Sequence, residues 1–345
     1  MIMKNKPLHR DDFREGVFKR DNHKCCICGE AAQDAHHIME RRLFDDGGYY
    51  LDNGSSLCGK HHLEAEMTTL DCDTIREACG IENKILPEHL YVDQDYDKWG
   101  NPIVNNNVRL KGELFYDESV QKILKTGNVL DLFSDYIKYP RTYFVPWGDK
   151  STKDDKKLKN DDHFKGKKVV VTVKMDGENT SIYPDYTHAR SINSGNHPTR
   201  NKVKELAANI GYQLSKGERI CGENLYAKHS ISYNDLPSYF MMFSHWEEST
   251  CLSWEETLFN AEVLGLDVVP VIYEGEYDKN KIIEAYEKDF QGPQCEGYVI
   301  RIAEEFEYGQ FRNSVMKYVE PDFREKINNS HGHWISKKIE HNELK

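Results

Sequence analysis

Two short knuckles of metal-binding residues stand near the start of the chain. Cys25 and Cys28 form a Cys-x-x-Cys pair, and Cys58 and His61 form a Cys-x-x-His pair thirty residues after Cys28. Two intervening residues let both side chains of a knuckle reach one ion, and thiolates with imidazole suit tetrahedral zinc. The pattern predicts a structural Zn²⁺ site. The alternative is a set of ordinary buried thiols.

A strongly apolar run ends at a lysine, and an acid and a glycine follow this lysine after one intervening residue. Lys174-Met175-Asp176-Gly177 comes directly after residues 169–173, whose β-branched side chains predict a buried strand. A neutral amine at this position can attack phosphorus, but an unperturbed lysine with a pKa of about 10.4 is almost wholly protonated at pH 7. Partial burial and a nearby metal ion would lower that pKa.

Further segments follow this lysine in a set order, and the order gives the short motif its weight. They are His188–Ser191 (HARS), Gly222–Tyr226 (GENLY), Tyr239–Phe243 (YFMMF), Glu296–Arg301 (EGYVIR) and Val315–Val319 (VMKYV). The series resembles the covalent nucleotidyltransferase superfamily, and more narrowly the RNA ligase family of phages and bacteria, over about residues 139–345. Only 28 residues follow Lys317, fewer than the OB domain of a capping enzyme needs, so a ligase is expected.

The ligase resemblance implies ATP as cofactor and a lysyl-AMP intermediate on Lys174. The AMP would pass to a 5′-phosphate end, and a 3′-OH would then displace it and seal the strand. The residues that the resemblance assigns to the nucleotide, phosphates or metal are Lys174, Asp176, Gly177, Arg190, Glu223, Phe243, Glu296 and Lys317.

The resemblance also implies separate roles for these side chains. Asp176 and Glu223 would contact the ribose or position metal-bound water, and Phe243 would stack on adenine. Glu296 would help to hold Mg²⁺ or Mn²⁺, while Arg190 would contact the 5′-phosphate of the strand to be sealed.

The last ligase motif departs from the pattern of many relatives, which carry two lysines spaced by two. Lys317 would bind the α-phosphate, but Val315 and Val319 stand two positions to either side of it. The phosphate that Lys317 contacts is therefore open. Lys167 or Lys168 is the alternative candidate for the second lysine, which this motif lacks.

A second set of polar residues lies between and beside the zinc knuckles. His36 and His37 are adjacent, Asn53 follows, and His62 comes directly after His61. With the knuckles, this order resembles the HNH endonuclease family over roughly residues 10–70. The resemblance implies His37 as the general base, His36 and His62 as ligands of a catalytic metal, and Asn53 as the residue that orients the base. A neutral imidazole can accept a proton near pH 7, and a cation offsets charge on the leaving oxygen.

The secondary-structure pattern around these motifs predicts an α+β protein. The predicted helices are 10–24, 58–70 with Ser55 or Ser56 as cap, 118–138, 203–214 and 254–264, and further predicted strands are 238–243, 266–273 and 297–302. We expect an N-terminal ββα-metal (HNH) zinc module over 1–85 and a connector of uncertain role over 86–138. A mixed-sheet nucleotidyltransferase (ligase adenylation) domain would occupy 139–345.

Composition limits the remaining function classes. The 345 residues include 46 Lys+Arg and 58 Asp+Glu, for a net charge of −12. No apolar run approaches the ~18 residues of a membrane span, and the N-terminus lacks the apolar core of a signal peptide, so a cytoplasmic protein of a bacterial or phage-infected cell is expected. The acidic average argues weakly against nucleic acid, because charge acts locally. The Lys-rich segment 150–168 is interpreted as a solvated loop, with nucleic-acid contact as the alternative.

The nine cysteines are expected to serve metal binding and packing. Their odd number and the missing secretion signal make a disulfide framework a poor interpretation. Cys26 remains an ambiguous alternate ligand, and Cys72 and Cys79 are expected to be core thiols.

The leading hypothesis is an ATP-dependent polynucleotide ligase, most simply an RNA ligase, whose HNH module cleaves or grips nucleic acid. Its partners would be RNA or RNA/DNA ends, including nicked duplexes. The rival hypothesis is an HNH endonuclease whose ligase-like domain senses ends, and a third makes the HNH fold a zinc-bound docking module.

Overall fold

The computed structural model describes residues 6–90, 92, 94–104, 107–149, 155–192, 194, 196–292, 295–321, 323 and 339–345. The chain divides into two compact units, residues 1–137 and 138–345. Within the described ranges, no helix combines the length and apolarity needed to cross a membrane. Residues 150–154, at the start of the Lys-rich loop, lie outside the described part of the chain.

The first unit is built from short elements around a small core. They are α1 (Arg10–Arg20), β1 (Asp34–His37), β2 (Gly54–Leu57), α2 (Gly59–Glu66), α3 (Cys72–Ala78), β3 (Asp95–Tyr96), β4 (Pro102–Ile103) and α4 (Glu118–Thr126). β1 and β2 pair antiparallel, and α1 lies so close to β2 that a Cβ on Gly54 would meet Val17 at 2.4 Å. A glycine is therefore needed where the helix crosses the hairpin.

Two predicted helices of this unit are shorter than their patterns suggested. The predicted helix 58–70 spans only Gly59–Glu66, and Cys58 precedes it as the N-terminal flanking residue. The expected serine cap is wrong, because Ser55 and Ser56 lie within β2 and pair with β1. The helical run predicted over 118–138 ends at Thr126, and a separate 3₁₀ turn follows at Leu130–Leu132.

Residues that follow position 85 pack onto the same core as the first 85. Asp97 organises the turn between β3 and β4, where its Oδ1 accepts hydrogen bonds from the backbone N–H groups of Trp99 and Asn101 at 3.0 Å each. The Trp99 indole then donates to the Glu66 carbonyl at 2.9 Å. The expected boundaries at 85 and 138 remain predictions, but segment 86–138 shares the apolar core of this unit through Tyr96 and Leu114.

The second unit consists of two sheets and the helices that cover them. Its elements are β5 (Tyr143–Phe144), β6 (Lys168–Lys174), β7 (Glu178–Ile182), β8 (Thr187–Ala189), α5 (Asn201–Ile210), β9 (Glu218–Asn224), β10 (Phe240–Glu247), β11 (Thr250–Cys251), α6 (Trp254–Leu264), β12 (Asp267–Val268), β13 (Val271–Glu276), α7 (Lys279–Asp289), β14 (Gly297–Ile302), β15 (Phe306–Glu307), α8 (Phe311–Ser314) and β16 (Val315–Val319). The predicted α+β class is confirmed.

Sheet order brings distant motifs together. One sheet runs β13-β6-β14-β16-β5, and the other runs β15-β11-β10-β9-β7-β8, with β12 added beside β10. The main core contains residues of both sheets, including Val170 of β6 and Trp246 of β10. Residues 169–173 of β6 are buried on both faces of the strand, and the same core cluster includes Ile282 and Tyr286 of α7. Such burial explains the near-continuous β-branched run that predicted this strand.

Candidate functional site

Lys174 is the last residue of β6, and the sheet register brings other charged residues alongside it. Lys174 lies opposite Gly297 of β14, which lies opposite Val319 of β16. Thr172, two positions before Lys174, lies opposite Val299 of β14, which lies opposite Lys317 of β16. Because side chains alternate between faces, Lys174 and Lys317 project from the same face of the sheet.

Glu296 is the direct partner of Lys174. The Lys174 ammonium donates to Glu296 Oε2 at 2.6 Å, and the two side chains are 24% and 11% exposed. Burial lowers the pKa of Lys174, but the carboxylates of Glu296, Glu223 and Asp176 outweigh it and leave that pKa above its ordinary value. Lys174 is therefore an ammonium ion in this arrangement. It must lose its proton before it can act as a nucleophile.

Gly297 explains why Glu296 can occupy this position. Its φ is +151°, and a Cβ built there would lie 2.1 Å from the Tyr318 carbonyl oxygen. Only glycine allows β14 and β16 to approach this closely at that point. Burial raises the pKa of the Glu296 carboxyl, and the Lys174 ammonium opposes that rise.

Glu223 reaches the same place from the other sheet. It lies on β9, and its Oε1 accepts a hydrogen bond from the Gly177 backbone N–H at 3.2 Å. Burial raises the pKa of Glu223 to about 8, with the Glu296 and Asp176 carboxylates adding to the rise and Lys174 opposing it. The neighbouring acids thus differ, because the pKa of Glu223 lies near neutral pH whereas Glu296 pairs directly with Lys174.

The Asp176 carboxylate holds a neighbouring loop. Its Oδ2 accepts hydrogen bonds from the backbone N–H groups of Ser230 at 2.7 Å and Ile231 at 2.6 Å. Its own backbone N–H donates to the Tyr233 hydroxyl at 3.0 Å. Burial raises the pKa of Asp176, and the two backbone donors oppose that rise. The expected ribose contact remains a prediction, because Oδ2 is already engaged with the loop.

Lys317 and Arg190 add positive charge near Lys174. The Lys317 ammonium lies 4.3 Å from the centre of the Phe144 ring and 3.8 Å from Asp155 Oδ1. Burial, followed by the charge of Lys174, lowers the pKa of Lys317 to about 8, and the charge of Arg190 acts in the same direction. Arg190 itself is exposed just after β8. Both positions suit contacts with phosphate groups, and the expected phosphate roles of Lys317 and Arg190 stay predictions.

Phe243 lies at an irregular position on β10. Met242 pairs with Gly222 and Ser244 with Cys221, so Phe243 is the extra residue of a β-bulge. Its ring is half-buried and meets Tyr139 edge-on at 5.5 Å between centroids. A bulge redirects a side chain, and sequence alternation gave no sign of it. Stacking of Phe243 on adenine remains a prediction.

Sequence reasoning missed the residues that directly follow the lysine motif. The Glu178 carboxylate accepts two hydrogen bonds from the Arg200 guanidinium. Nε donates to Oε2 at 2.7 Å, and Nη2 donates to Oε1 at 2.5 Å. Asn179 lies opposite Glu223 on the neighbouring strand, so both side chains project from one face. Among the described residues, the Asn179 amide oxygen has no hydrogen-bond partner. The only signal was the polar pair Glu178-Asn179 at the start of a strand whose later residues are buried.

The four predicted zinc ligands of the first unit meet at one point. One potential ligand atom from each of Cys25, Cys28, Cys58 and His61 lies within 4.8 Å of the other three. His61 Nδ1 is 3.2 Å from Cys58 Sγ and 3.4 Å from Cys25 Sγ. Three sulfur donors and one imidazole nitrogen at these separations fit a tetrahedral Zn²⁺ ion.

A second cluster joins both predicted catalytic-metal histidines to a carboxylate that sequence reasoning missed. His36, His62 and Glu66 each place one potential ligand atom within 4.8 Å of the others. Glu66 Oε1 lies 3.2 Å from His62 Nε2 and 3.4 Å from His36 Nδ1. The signal for Glu66 was its spacing of four residues after His62, which puts both on one face of α2. Two imidazoles and a carboxylate suit a divalent transition metal.

Lys98 brings a buried positive charge to this cluster from outside residues 10–70. Its side chain is 4% exposed, and its ammonium lies 3.2 Å from Glu66 Oε1 and 3.6 Å from Glu40 Oε2. It also donates to the His37 carbonyl at 3.0 Å. No sequence signal linked this lysine to the histidines, because 61 positions separate it from His37.

His37 and Asn53 lie nearby but do not contact each other as expected. The His37 ring stacks on Phe13 at 4.5 Å between centroids, and its Nε2 has no hydrogen-bond partner among the described residues. Burial lowers the pKa of His37 to about 4, with Lys98 acting in the same direction. The Asn53 amide instead bonds the backbone of Met39 and Gly48 at 2.9–3.1 Å. The Asn53 backbone carbonyl also accepts the N–H of Ile38 at 2.8 Å, so any effect of Asn53 on His37 passes through the adjoining backbone.

Similarity to known families concerns the second unit. Residues 167–319, which include Lys174, Glu223, Glu296 and Lys317, match the family model described as RNA ligase. No curated protein matches the chain.

Three solved ligase structures are similar to this chain at low sequence identity. A Naegleria gruberi RNA ligase with PPi is 19% identical, with 49% of this chain and 54% of that chain covered and a TM-score of 0.36. An archaeal ATP-dependent RNA ligase is 18% identical over 54% and 48%, with a TM-score of 0.36. A putative ATP-dependent DNA ligase from Aquifex aeolicus is 21% identical over 47% and 52%, with a TM-score of 0.32. The chain spans about half the length of each, and TM-scores of this size do not establish a shared overall fold.

Proposed function

We propose that this protein is an ATP-dependent RNA ligase that forms a lysyl-AMP intermediate on Lys174. The observation that carries the proposal is the Lys174–Glu296 pair at 2.6 Å, with Glu223 reaching it from the facing sheet. Both partners lie inside residues 167–319, the segment that matches the RNA ligase family. Lys317 supplies a second, half-buried amine on the same face of the sheet.

The first step of the proposed reaction is transfer of AMP to Lys174. The neutral Nζ forms a bond to the α-phosphorus of ATP while the bond from that phosphorus to the bridging oxygen breaks, and pyrophosphate leaves with the electron pair. Glu296 Oε2, at 2.6 Å, is the nearest acceptor for the proton of Lys174. A divalent cation such as Mg²⁺ or Mn²⁺ at these carboxylates would supply positive charge that favours the neutral amine. Lys317 and Arg190 would hold phosphate oxygens.

The later steps require nucleic-acid ends, which we propose to be RNA or mixed RNA/DNA ends. AMP would move from Lys174 to a 5′-phosphate, and a 3′-OH would then displace AMP. A variant of the Naegleria gruberi ligase has been solved with ATP and Mn, and we propose the same kinds of cofactor here. A ligation panel on nicked duplexes with RNA or DNA on the 3′-OH side would identify the preferred strand.

A covalent-labelling experiment tests the first step. The wild-type protein, incubated with ATP labelled in its α-phosphate and with Mg²⁺ or Mn²⁺, should become covalently labelled. Lys174→Ala should lose all label, because within the described ranges no other amine pairs with Glu296. Lys165→Ala is the matched control, since Lys165 is exposed and its described ion pair is with Asp162. A wild-type protein that takes no label would contradict the proposal.

A second activity is favoured by the His36–His62–Glu66 cluster beside the zinc knuckles. We propose that the first unit is an HNH-like module in which these residues hold a divalent metal and His37 accepts a proton from water. The metal would supply Lewis-acid stabilisation of the scissile phosphate. The half-buried His37 imidazole is neutral at pH 7, and its Nε2 bonds to no other group in the described part of the chain, so that nitrogen has a lone pair for the proton of water. Its lowered pKa makes it a weak base, and the metal would have to acidify the water that it deprotonates.

Cleavage assays separate the ligase with a nuclease module from its rivals. Metal-dependent cleavage of single-stranded, duplex or hybrid substrates should disappear in His37→Ala and persist in Lys174→Ala. Cleavage by a protein that never forms an AMP adduct would favour the alternative, an HNH endonuclease with an end-sensing ligase-like domain. Nucleic-acid binding with no cleavage on any substrate would make the first unit a zinc-bound docking module.

A further inference from the structure

Residues 339–345, here called the tail segment, lie along residues 225–236, here called the site loop. Ala227 bridges His341 in antiparallel fashion, and Leu236 bridges Leu344 in parallel fashion. The Tyr226 ring stacks on His341 at 4.3 Å between centroids. The site loop therefore gains a partner from a part of the chain that lies beyond all the ligase-like motifs.

Asn342 is the centre of this contact. It is 2% exposed, and its side-chain Nδ2 donates to the Leu225 carbonyl at 2.8 Å. Its Oδ1 accepts from the Tyr233 backbone N–H at 3.0 Å. Its backbone carbonyl accepts from the Tyr239 hydroxyl at 3.2 Å. A buried amide with this many specific partners fixes the conformation of the loop around it, because removal would leave buried donors and acceptors unsatisfied.

The site loop in turn holds the residue two positions after the nucleophile. The Tyr233 hydroxyl accepts the Asp176 backbone N–H at 3.0 Å. Asp176 Oδ2 accepts the backbone N–H groups of Ser230 and Ile231 at 2.7 and 2.6 Å. Two consecutive links, Asn342 to Tyr233 and Tyr233 to Asp176, therefore connect the tail segment to the turn that follows Lys174.

We propose that Asn342 is a positioning residue for Lys174. This inference rests on the proposed lysyl-AMP chemistry. Asn342 acts through other residues, by fixing Tyr233 and thereby the backbone of Asp176. Nucleophilic attack depends steeply on geometry, and a displacement of about 1 Å is enough to slow a reaction by about a hundredfold.

A single-turnover experiment measures this role. Asn342→Ala should form its AMP adduct at least about tenfold more slowly than wild type at saturating ATP. Its labelled fraction at the endpoint should equal that of wild type, because every folded molecule still carries Lys174. A merely structural residue would lower the endpoint and leave the rate of the folded fraction unchanged. Glu343→Ala is the matched control, because Glu343 is exposed and next in sequence.

A second variant and a measurement without nucleotide make the result decisive. Tyr233→Phe removes only the hydroxyl that links to Asp176, and it should slow labelling to a similar extent. The two changes together should slow labelling by less than the product of their separate effects, as for residues on one path. Hydrogen exchange at the amides of Asp176, Ser230 and Ile231 should also be faster in Asn342→Ala.

The possible failures are distinguishable. A wild-type protein that forms no adduct overturns the proposed function and the role of Asn342 in it. A labelled wild type with an equally fast Asn342→Ala overturns the positioning role alone. If Asn342→Ala does not fold, Tyr233→Phe decides, and a wild-type labelling rate in that variant would overturn the inference.

Discussion

Lys317 has a lower pKa than an exposed lysine, and the pH dependence of adduct formation should show this. With its pKa at about 8, Lys317 is charged at pH 7 and becomes neutral as the pH rises past 8. Rising pH favours the neutral Lys174 amine, but it also removes the Lys317 charge, so if that ammonium binds phosphate, labelling at high pH should be slower than in a variant that keeps the charge. Lys317→Arg should keep its charge to above pH 10, because a guanidinium stays protonated there. We expect single-turnover rates from pH 6.5 to 10 to decline later in this variant, and identical profiles would argue against the phosphate contact.

Lys98 should weaken metal binding at the His36–His62–Glu66 cluster. Its ammonium is 3.2 Å from the carboxylate oxygen that both histidines face, and it is too buried to move freely into water. A divalent ion at that oxygen would be repelled by this charge, so Lys98→Met should bind Mn²⁺ about tenfold more tightly in a calorimetric titration of the zinc-loaded protein. Lys84→Met, which removes a lysine paired with Asp73 and Asp95, is the control. Weaker binding in Lys98→Met would show that Lys98 helps to build the site.

At the residue level, sequence reasoning found the groups that stand in recognisable spacings. The four proposed zinc ligands Cys25, Cys28, Cys58 and His61 follow from local knuckles, and the structure brings all four together. Lys98 could not be found this way, because its contacts with Glu66 depend on how a hairpin far along the chain packs. The backbone partners of the Asn53 amide could not be found from sequence, since its hydrogen bonds depend on the path of the loop from Met39 to Gly48, and its role in orienting His37 stays a prediction.

The turn after β6 is the element that most constrains the ligase-like site. A Cβ on Gly177 would lie 2.6 Å from the Asn224 carbonyl oxygen and 2.9 Å from Glu223 Cγ. Gly177→Ala should destabilise the protein by about 1–3 kcal/mol and should slow adduct formation, because Glu223 must move. Gly292→Ala is the matched control, since no described atom lies within 4 Å of the point that its Cβ would occupy. Denaturant unfolding and labelling rates measure both effects, and equal behaviour of the two variants would contradict this packing argument.

Helices and strands were predicted correctly where the pattern of apolar residues determined them. Strand 297–302 and helix 254–264 have the predicted bounds, and the valine run forms β6. β7 was missed because its first residues, Glu178 and Asn179, are polar and belong to the site. The predicted strand 266–273 is divided into β12 and β13, which pair with different sheets. Local pattern cannot show such a change of partner, because it is decided by the packing of the two sheets.

At the scale of the whole molecule, metal removal should affect the two units differently. All four proposed zinc ligands lie in the unit 1–137, whereas the Lys174 site lies in 138–345. Because small zinc-bound cores depend on their ion, chelation should abolish the cooperative unfolding of the first unit. Formation of the AMP adduct, supplied with excess Mg²⁺ after the chelator is removed, should persist.

Matched cysteine variants test the assignment of that zinc site. Cys58→Ser should reduce bound zinc, measured by elemental analysis, from one ion per chain to well below one. Cys79→Ser should retain the ion, because Cys79 lies outside the four-residue cluster. Zinc retained in Cys58→Ser would contradict the assignment.

The hydrogen bond between Lys174 and Glu296 also has a consequence for folding kinetics. It joins residues 122 positions apart, and the Asn342–Tyr233 bond spans 109. Contacts of such long range form late, since the entropy of closing large loops must be overcome first. During refolding from denaturant, the capacity to take up AMP should therefore return after helical circular dichroism has recovered. The time at which covalent labelling returns would then report the final stage of folding in the second unit.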